Sequence, residues 1–144
     1  MSITDEKEVN RMHKLKTAII DIGSNTVRLA MYQYDKDEGL HEFGNIKTVA
    51  RLRTHLLPSG EMSEEGIRTL AETLVSFKQI LEDYGVTDIQ TVATAAVRQA
   101  SNNEQIIEKM REESGIKIDI LSEEEEAYFG FLAVVNSMDT PSAV

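Results

Sequence analysis

Apolar positions along this chain follow two rhythms. At 16–22 and 26–34 they come in dense runs, Ala18-Ile19-Ile20 and then Val27, Leu29, Ala30 and Met31, which predict two strands. The first run is continuous, as expected of a strand buried on both faces. Gly23-Ser24-Asn25 between them is a turn signal, so the pair reads as a β-hairpin. Asp35-Lys36-Asp37-Glu38-Gly39 marks the next turn, and a third extended segment covers about 40–50. The rhythm then changes. Ile67, Leu70, Leu74, Phe77, Leu81 and Tyr84 recur at spacings of three and four, the stripe of an amphipathic helix. Ser63 is its expected N-cap, Glu64 and Glu65 suit the positive end of its dipole, and Gly85 ends it. Heptad spacing also fits a coiled coil, but one such helix among strands reads better as packed on a sheet.

Residues 88–93 predict strand four, and Thr94 to Arg98 follow it. Ser101 with Glu104 suggests a capping box opening a helix to about 113, with Ile106, Ile107 and Met110 on its apolar side and Gly115 at its close. Ile116 to Leu121 predicts strand five. Ser122 with Glu125 suggests a second capping box, opening a helix to about 138 that would bury Tyr128, Phe131, Leu132 and Val135. Arg51 to Gly60 reads as a loop delivering the chain to the first helix. The order β-β-β-α-β-α-β-α predicts an α/β fold: a five-stranded mixed sheet, an antiparallel meander extended by parallel strands through helical crossovers. Residues 1–14 read as a mobile leader, 15–138 as one lobe, and 139–144 as a boundary. No internal repeat is present.

Composition narrows the function. The chain has 144 residues, 41% of them hydrophobic, enough for one domain with a real core. It has no cysteine, which removes disulfides, thiolate catalysis and thiolate metal sites and fits a cytoplasmic protein. Its net charge of -10, from 25 acidic and 15 basic residues, argues against broad nucleic-acid binding but leaves room for an anion in a local basic pocket. No run approaches the ~18 apolar residues of a membrane span, and the first residues lack a signal-peptide core.

The candidate chemistry gathers at three stretches. Gly23, Ser24, Asn25 and Thr26 form a small polar turn whose backbone N–H groups and side chains suit phosphate. Asp21 just before it would repel phosphate unless a cation stood between them, which suggests magnesium. The same residues would also serve as a plain hairpin turn. Arg98, beyond strand four, could hold a phosphate bidentately or act only as a surface arginine. Glu126 comes one position after the capping glutamate and needs no capping role, so it is the better candidate for a general base. Glu123 and Glu124 read as solvated, Tyr128 and Phe129 as packing residues, and His13, His41 and His55 receive no role. In sheets of this kind ligands sit beyond the strand carboxyl ends. All three stretches lie there, provided that strands one, four and five are mutually parallel.

With these stretches in place, the chain resembles the exopolyphosphatase / guanosine pentaphosphate phosphohydrolase (Ppx/GppA) family from about Lys16 to Asn136. The resemblance is carried by Ala-Ile-Ile-Asp-Ile-Gly-Ser-Asn-Thr at 18–26, Leu-Pro-Ser-Gly-Glu-Met-Ser-Glu-Glu-Gly-Ile at 57–67, Val-Ala-Thr-Ala-Ala-Val-Arg-Gln-Ala at 92–100 and Ile-Leu-Ser-Glu-Glu-Glu-Glu-Ala at 120–127. It implies an actin-like ATPase fold of two ribonuclease H-like lobes. It also implies magnesium-dependent hydrolysis of the terminal phosphoanhydride of inorganic polyphosphate or guanosine pentaphosphate. Carried over, Asp21 to Thr26 would be the first phosphate loop, with Asp21 and Glu126 at the metal. Arg98 would contact substrate phosphates, and Glu126 would be the base that activates water.

Three departures stand out. Glu123 replaces a usual glycine, Tyr128 a common arginine, and Arg51-Leu52-Arg53-Thr54-His55 a loop that commonly carries glycines. The family's second loop, Asp-x-Gly-Gly-Gly-Ser, is expected just after residue 144. These residues are therefore expected to be an N-terminal lobe that needs a C-terminal lobe of the same chain, has little activity alone and could pair with itself as a homodimer. A non-catalytic lobe that senses nucleotide or polyphosphate is the alternative. An actin-like or sugar-kinase-like ATP-binding lobe is a third reading, against which Glu125-Glu126-Ala127 argues.

Overall fold

A computed structural model describes residues 15–138, with side chains described through Gly130. Strands β1 (Lys16–Ile22), β2 (Thr26–Asp35) and β3 (Gly39–Val49) form the antiparallel meander. Strand β4 (Asp88–Ala93) pairs parallel with β1, and β5 (Ile118–Ile120) parallel with β4, giving the order β3-β2-β1-β4-β5. The helices are α1 (Glu64–Asp83), α2 (Ala95–Gln99), α3 (Asn103–Ser114) and α4 (Glu123–Met138), with a 3-10 turn at Leu52–His55. Helical crossovers are what make β1, β4 and β5 parallel, since a hairpin would have reversed the chain. The expected α/β class, a mixed five-stranded sheet in which an antiparallel meander is extended by parallel strands, is the observed one.

The stripe of α1 explains the core. Leu70, Leu74, Phe77 and Leu81 are buried, together with Ile106 and Met110 of α3, against Ala18, Ile20, Ile22, Val27, Leu29 and Met31 of the sheet. Each of the larger side chains gains roughly 1.5–3 kcal/mol by leaving water. Ser63 caps α1 as expected, its Oγ accepting from Gly66 N at 3.1 Å. The box at α4 is also formed: Glu125 N donates to Ser122 Oγ and Ser122 N to Glu125 Oε1, each at 3.1 Å.

Several expectations are corrected. Strand β1 is covered on one face only. Ala18, Ile20 and Ile22 are buried, whereas Ile19 is 41% exposed and Asp21 lies open beside it. The buried residues of α1 and α3 join the cluster formed by the first of these two faces, so the apolar run does not mean two covered sides. Ser101 and Glu104 form no capping box. Helix α3 begins at Asn103 after Asn102, whose amide instead accepts from Met62 N at 2.9 Å and donates to Met62 O at 3.1 Å. The residues after β4, to which no element was assigned, form the short helix α2 behind Thr94. Strand β5 is shorter than 116–121, although Ile116 and Leu121 are buried at its ends. Tyr128 is 61% exposed and Phe129 is also exposed, the two touching edge to face at 6.5 Å, so neither is a packing residue of this lobe. The leader at 1–14, the boundary at 139–144 and the side chains of Phe131, Leu132 and Val135 lie outside the described residues.

On the core face of β4, Thr91 sits between Ile20 and Ile118 with its hydroxyl buried and without a hydrogen-bond partner among the described residues. An unpaired buried hydroxyl costs about 1–3 kcal/mol. Thr91→Val keeps the shape and removes that group, so it should raise the urea midpoint with an unchanged slope. A lowered midpoint would show that the hydroxyl is satisfied.

Candidate functional site

The sheet brings the three candidate stretches to one edge. Beyond β1 and β4 the backbone pairing continues for one more step: Thr94 N donates to Ile22 O at 3.1 Å, and Leu121 N to Ala93 O at 2.9 Å. The β1–β2 turn, the start of α2 and the start of α4 therefore stand side by side at the carboxyl ends of β1, β4 and β5, as parallelism requires.

The turn is closed by Gly23 N, which donates to Thr26 O at 3.0 Å. A Cβ on residue 23 would lie 2.9 Å from that oxygen, so the closure needs glycine. Ser24 O accepts from Arg53 N at 2.9 Å and Asn25 O from Arg51 N at 2.8 Å. The carbonyls of the turn are thus occupied by the 51–53 segment. The N–H groups of Ser24 and Asn25 have no partner among the described residues. With the Ser24, Asn25 and Thr26 side chains beside them in the turn, they gather donors of the kind that can take an anion.

Asp21 lies on the open face of the sheet, opposite Arg28 of β2, which in turn pairs with Lys47 of β3. Partial desolvation, and then the Glu126 carboxylate, hold the Asp21 carboxyl above its usual range, while Arg28 pulls the other way. The sequence reading passed over Arg28. Its signal was there in principle: a four-residue turn, 23–26, that pairs Ile22 with Val27 also pairs Asp21 with Arg28.

Arg98 and Glu126 meet directly. Arg98 Nη1 donates to Glu126 Oε2 at 3.1 Å and to Leu121 O at 2.8 Å. The arginine side chain is 21% exposed and the glutamate 43%, so the pair stands at the boundary of lobe and solvent. Glu125 is held in the capping box, which leaves Glu126 to point elsewhere, while Glu123 and Glu124 are solvated. His55, given no role, proves structural: its Nδ1 lies 3.3 Å from Ser63 Oγ. A groove lined by Glu64, Glu65, Arg68, Lys109 and Glu113 contains none of these residues.

Among the described residues no three carboxylate or histidine side chains are grouped to enclose a metal. Asp21 and Glu126 are close enough to raise the Asp21 pKa, and two oxygen-donor carboxylates in mutual repulsion fit a hard cation. Magnesium in phosphoryl-transfer sites characteristically takes one or two carboxylates, with phosphate oxygens and water as the remaining ligands.

The raised pKa of Asp21 has a measurable sign. Below the ordinary carboxylate range Asp21 is neutral both folded and unfolded and costs nothing. As pH rises through its higher folded value it ionises in an unfavourable place, and stability is lost. Asp21→Asn should therefore raise the melting temperature at neutral pH, with the gain fading as pH falls below about 4. No gain at neutral pH, or an equal gain in acid, would contradict this account of the carboxylate.

Comparison with known proteins gives the family. The sequence pattern of the Ppx/GppA phosphatase family matches residues 32–144. The chain is 30% identical over 120 residues to exopolyphosphatase 1 of Mycobacterium tuberculosis, covering 83% of this chain and 35% of that protein. It is 28% identical over 120 residues to guanosine-5'-triphosphate,3'-diphosphate pyrophosphatase of Photobacterium profundum, covering 83% of this chain and 24% of that one. Among solved structures, the Aquifex aeolicus Ppx/GppA family member superposes with a TM-score of 0.79 at 30% identity, over 88% of this chain and 41% of the other. The chain spans about a third of the length of the exopolyphosphatases it matches. It belongs to the Ppx/GppA phosphatase family.

Proposed function

We propose that this chain forms the first lobe of a phosphohydrolase that releases terminal phosphate from inorganic polyphosphate or guanosine pentaphosphate in the cytoplasm. The observation that carries the reading is the meeting of Arg98 and Glu126 at 3.1 Å, on the same strand edge as Asp21 and the 23–26 turn. The turn binds a phosphate through the Ser24 and Asn25 N–H groups. Arg98 exchanges the Glu126 carboxylate for phosphate oxygens, a charge-assisted contact of the same kind. Glu126, so released, accepts a proton from the water that attacks the terminal phosphorus in line with the leaving oxygen. Asp21 and Glu126 would hold magnesium. Bound there, the ion would neutralise phosphate charge and stabilise the developing negative charge. A second lobe supplies the remaining phosphate donors, so the lobe alone has little activity.

One observation favours a second reading, a non-catalytic sensor lobe: Arg98 occupies the carboxylate that a base would use. The two readings part on one substitution. In the longer protein that contains this lobe, Glu126→Gln preserves size and removes the base. Phosphate release from polyphosphate in magnesium should fall by ~10²-fold or more. Release that survives the swap would return Glu126 to an electrostatic role. Tight binding with no release in the unaltered protein would favour the sensor.

A further inference from the structure

The segment between β3 and α1 is built as a rigid continuation of the 23–26 turn, and it carries two arginines without side-chain partners among the described residues. Arg51 N and Arg53 N hold the carbonyls of Asn25 and Ser24. Leu52 between them is wholly buried in the core. Thr54 closes the 3-10 turn with both its N–H and its hydroxyl on Arg51 O, at 3.0 and 2.7 Å. At its far end His55 is fixed to the start of α1: Ser63 N donates to His55 O at 2.8 Å, and His55 Nδ1 lies 3.3 Å from Ser63 Oγ. Gly66 leaves room for that histidine, since a Cβ there would come within 2.5 Å of His55 Cβ. Arg51 is held at φ 51, in the left-handed region that arginine seldom visits.

The backbone is thus tied at both ends while the Arg51 and Arg53 side chains remain exposed, with no hydrogen bond or ion pair among the described residues. In a chain of net charge -10, four of the seven arginines (28, 51, 53 and 98) stand at this one edge. A single phosphate in the turn is already served by the Ser24 and Asn25 N–H groups and by Arg98. Arg51 and Arg53 are joined to the turn through the carbonyls of Asn25 and Ser24, while the Ser24 and Asn25 N–H groups have no partner among the described residues.

We propose that Arg51 and Arg53 form a second anion subsite that binds the phosphates following the one held in the 23–26 turn, so that the lobe prefers a chain of linked phosphates to a short one. The inference rests on the reading of that turn as a phosphate site. Preorganisation favours it, because a fixed backbone leaves only the side chains to be ordered on binding. The anion it takes is a flexible linear polyanion with negative charge at every unit.

The test is calorimetric binding of long-chain polyphosphate and of pyrophosphate to this chain in magnesium buffer. The unaltered chain should prefer the long anion. Arg51→Asn with Arg53→Gln should cut that preference about tenfold, the loss expected for two charge pairs at an exposed site, and leave pyrophosphate binding within about twofold. Asparagine is chosen because it tolerates the left-handed backbone at 51. Arg53→Lys, which keeps the charge, should restore part of the preference, and Lys36→Gln, at the far end of the β2–β3 hairpin, should not alter it. On the unaltered chain, long polyphosphate should protect Arg51 and Arg53 from phenylglyoxal, and pyrophosphate should not. An unchanged preference in the double variant, or an equal loss in Lys36→Gln, overturns the second subsite while leaving the turn reading standing. Failure of the unaltered chain to bind either anion overturns both.

Discussion

Everything at the candidate site depends on two backbone hydrogen bonds that carry the sheet past its strands: Thr94 N to Ile22 O and Leu121 N to Ala93 O. They fix where three strands stop relative to one another. A slip of one residue in either pair would move Asp21, Arg98 or Glu126 by a full strand rise of about 3.3 Å. The 3.1 Å contact between Arg98 and Glu126 would not survive that. The register is in turn held by the core face. Ala18, Ile20 and Ile22 alternate into the same cluster as Leu70, Leu74 and Phe77, and a one-residue slip would turn them outward.

Electrostatics give this edge its character. The chain is strongly acidic, yet Arg28, Arg51, Arg53 and Arg98 surround a turn flanked by the two carboxylates Asp21 and Glu126. Glu126 is compensated by Arg98, and Asp21 only in part by Arg28. Burial first, and the Glu126 carboxylate second, hold the Asp21 carboxyl above its usual range, against the pull of Arg28. A phosphate accompanied by a cation satisfies both sets at once, the arginines by the anion and the carboxylates by the cation. In the proposed reaction Arg98 is the residue that changes partner, leaving Glu126 for phosphate.

Much of the fold was legible because local chemistry and topology agreed. The Gly23-Ser24-Asn25 turn between two apolar runs sets the hairpin, the stripe from Ile67 to Leu81 sets α1, and crossover helices force β4 and β5 parallel to β1. The convergence of residues 21, 98 and 126 followed from that parallelism. What escaped depended on distant partners. Asn102 looks like part of a helix cap, but it bonds to Met62, 40 residues away. Arg98 and Glu126 are 28 residues apart, and no local rule pairs them. The run Ala18-Ile19-Ile20 could not reveal that only one face would be covered, because that depends on where the helices settle. Tyr128 fits the helical stripe by spacing, yet it is exposed on the described lobe.

The measurement that tests the central claim most directly is amide and arginine side-chain NMR of this chain, titrated with tripolyphosphate in magnesium. The account predicts that the largest shifts fall on the Ser24 and Asn25 N–H signals and on the Arg98 guanidinium, as Arg98 leaves Glu126 for phosphate. Saturable binding that leaves those three signals unmoved, with shifts elsewhere on the lobe, would contradict it.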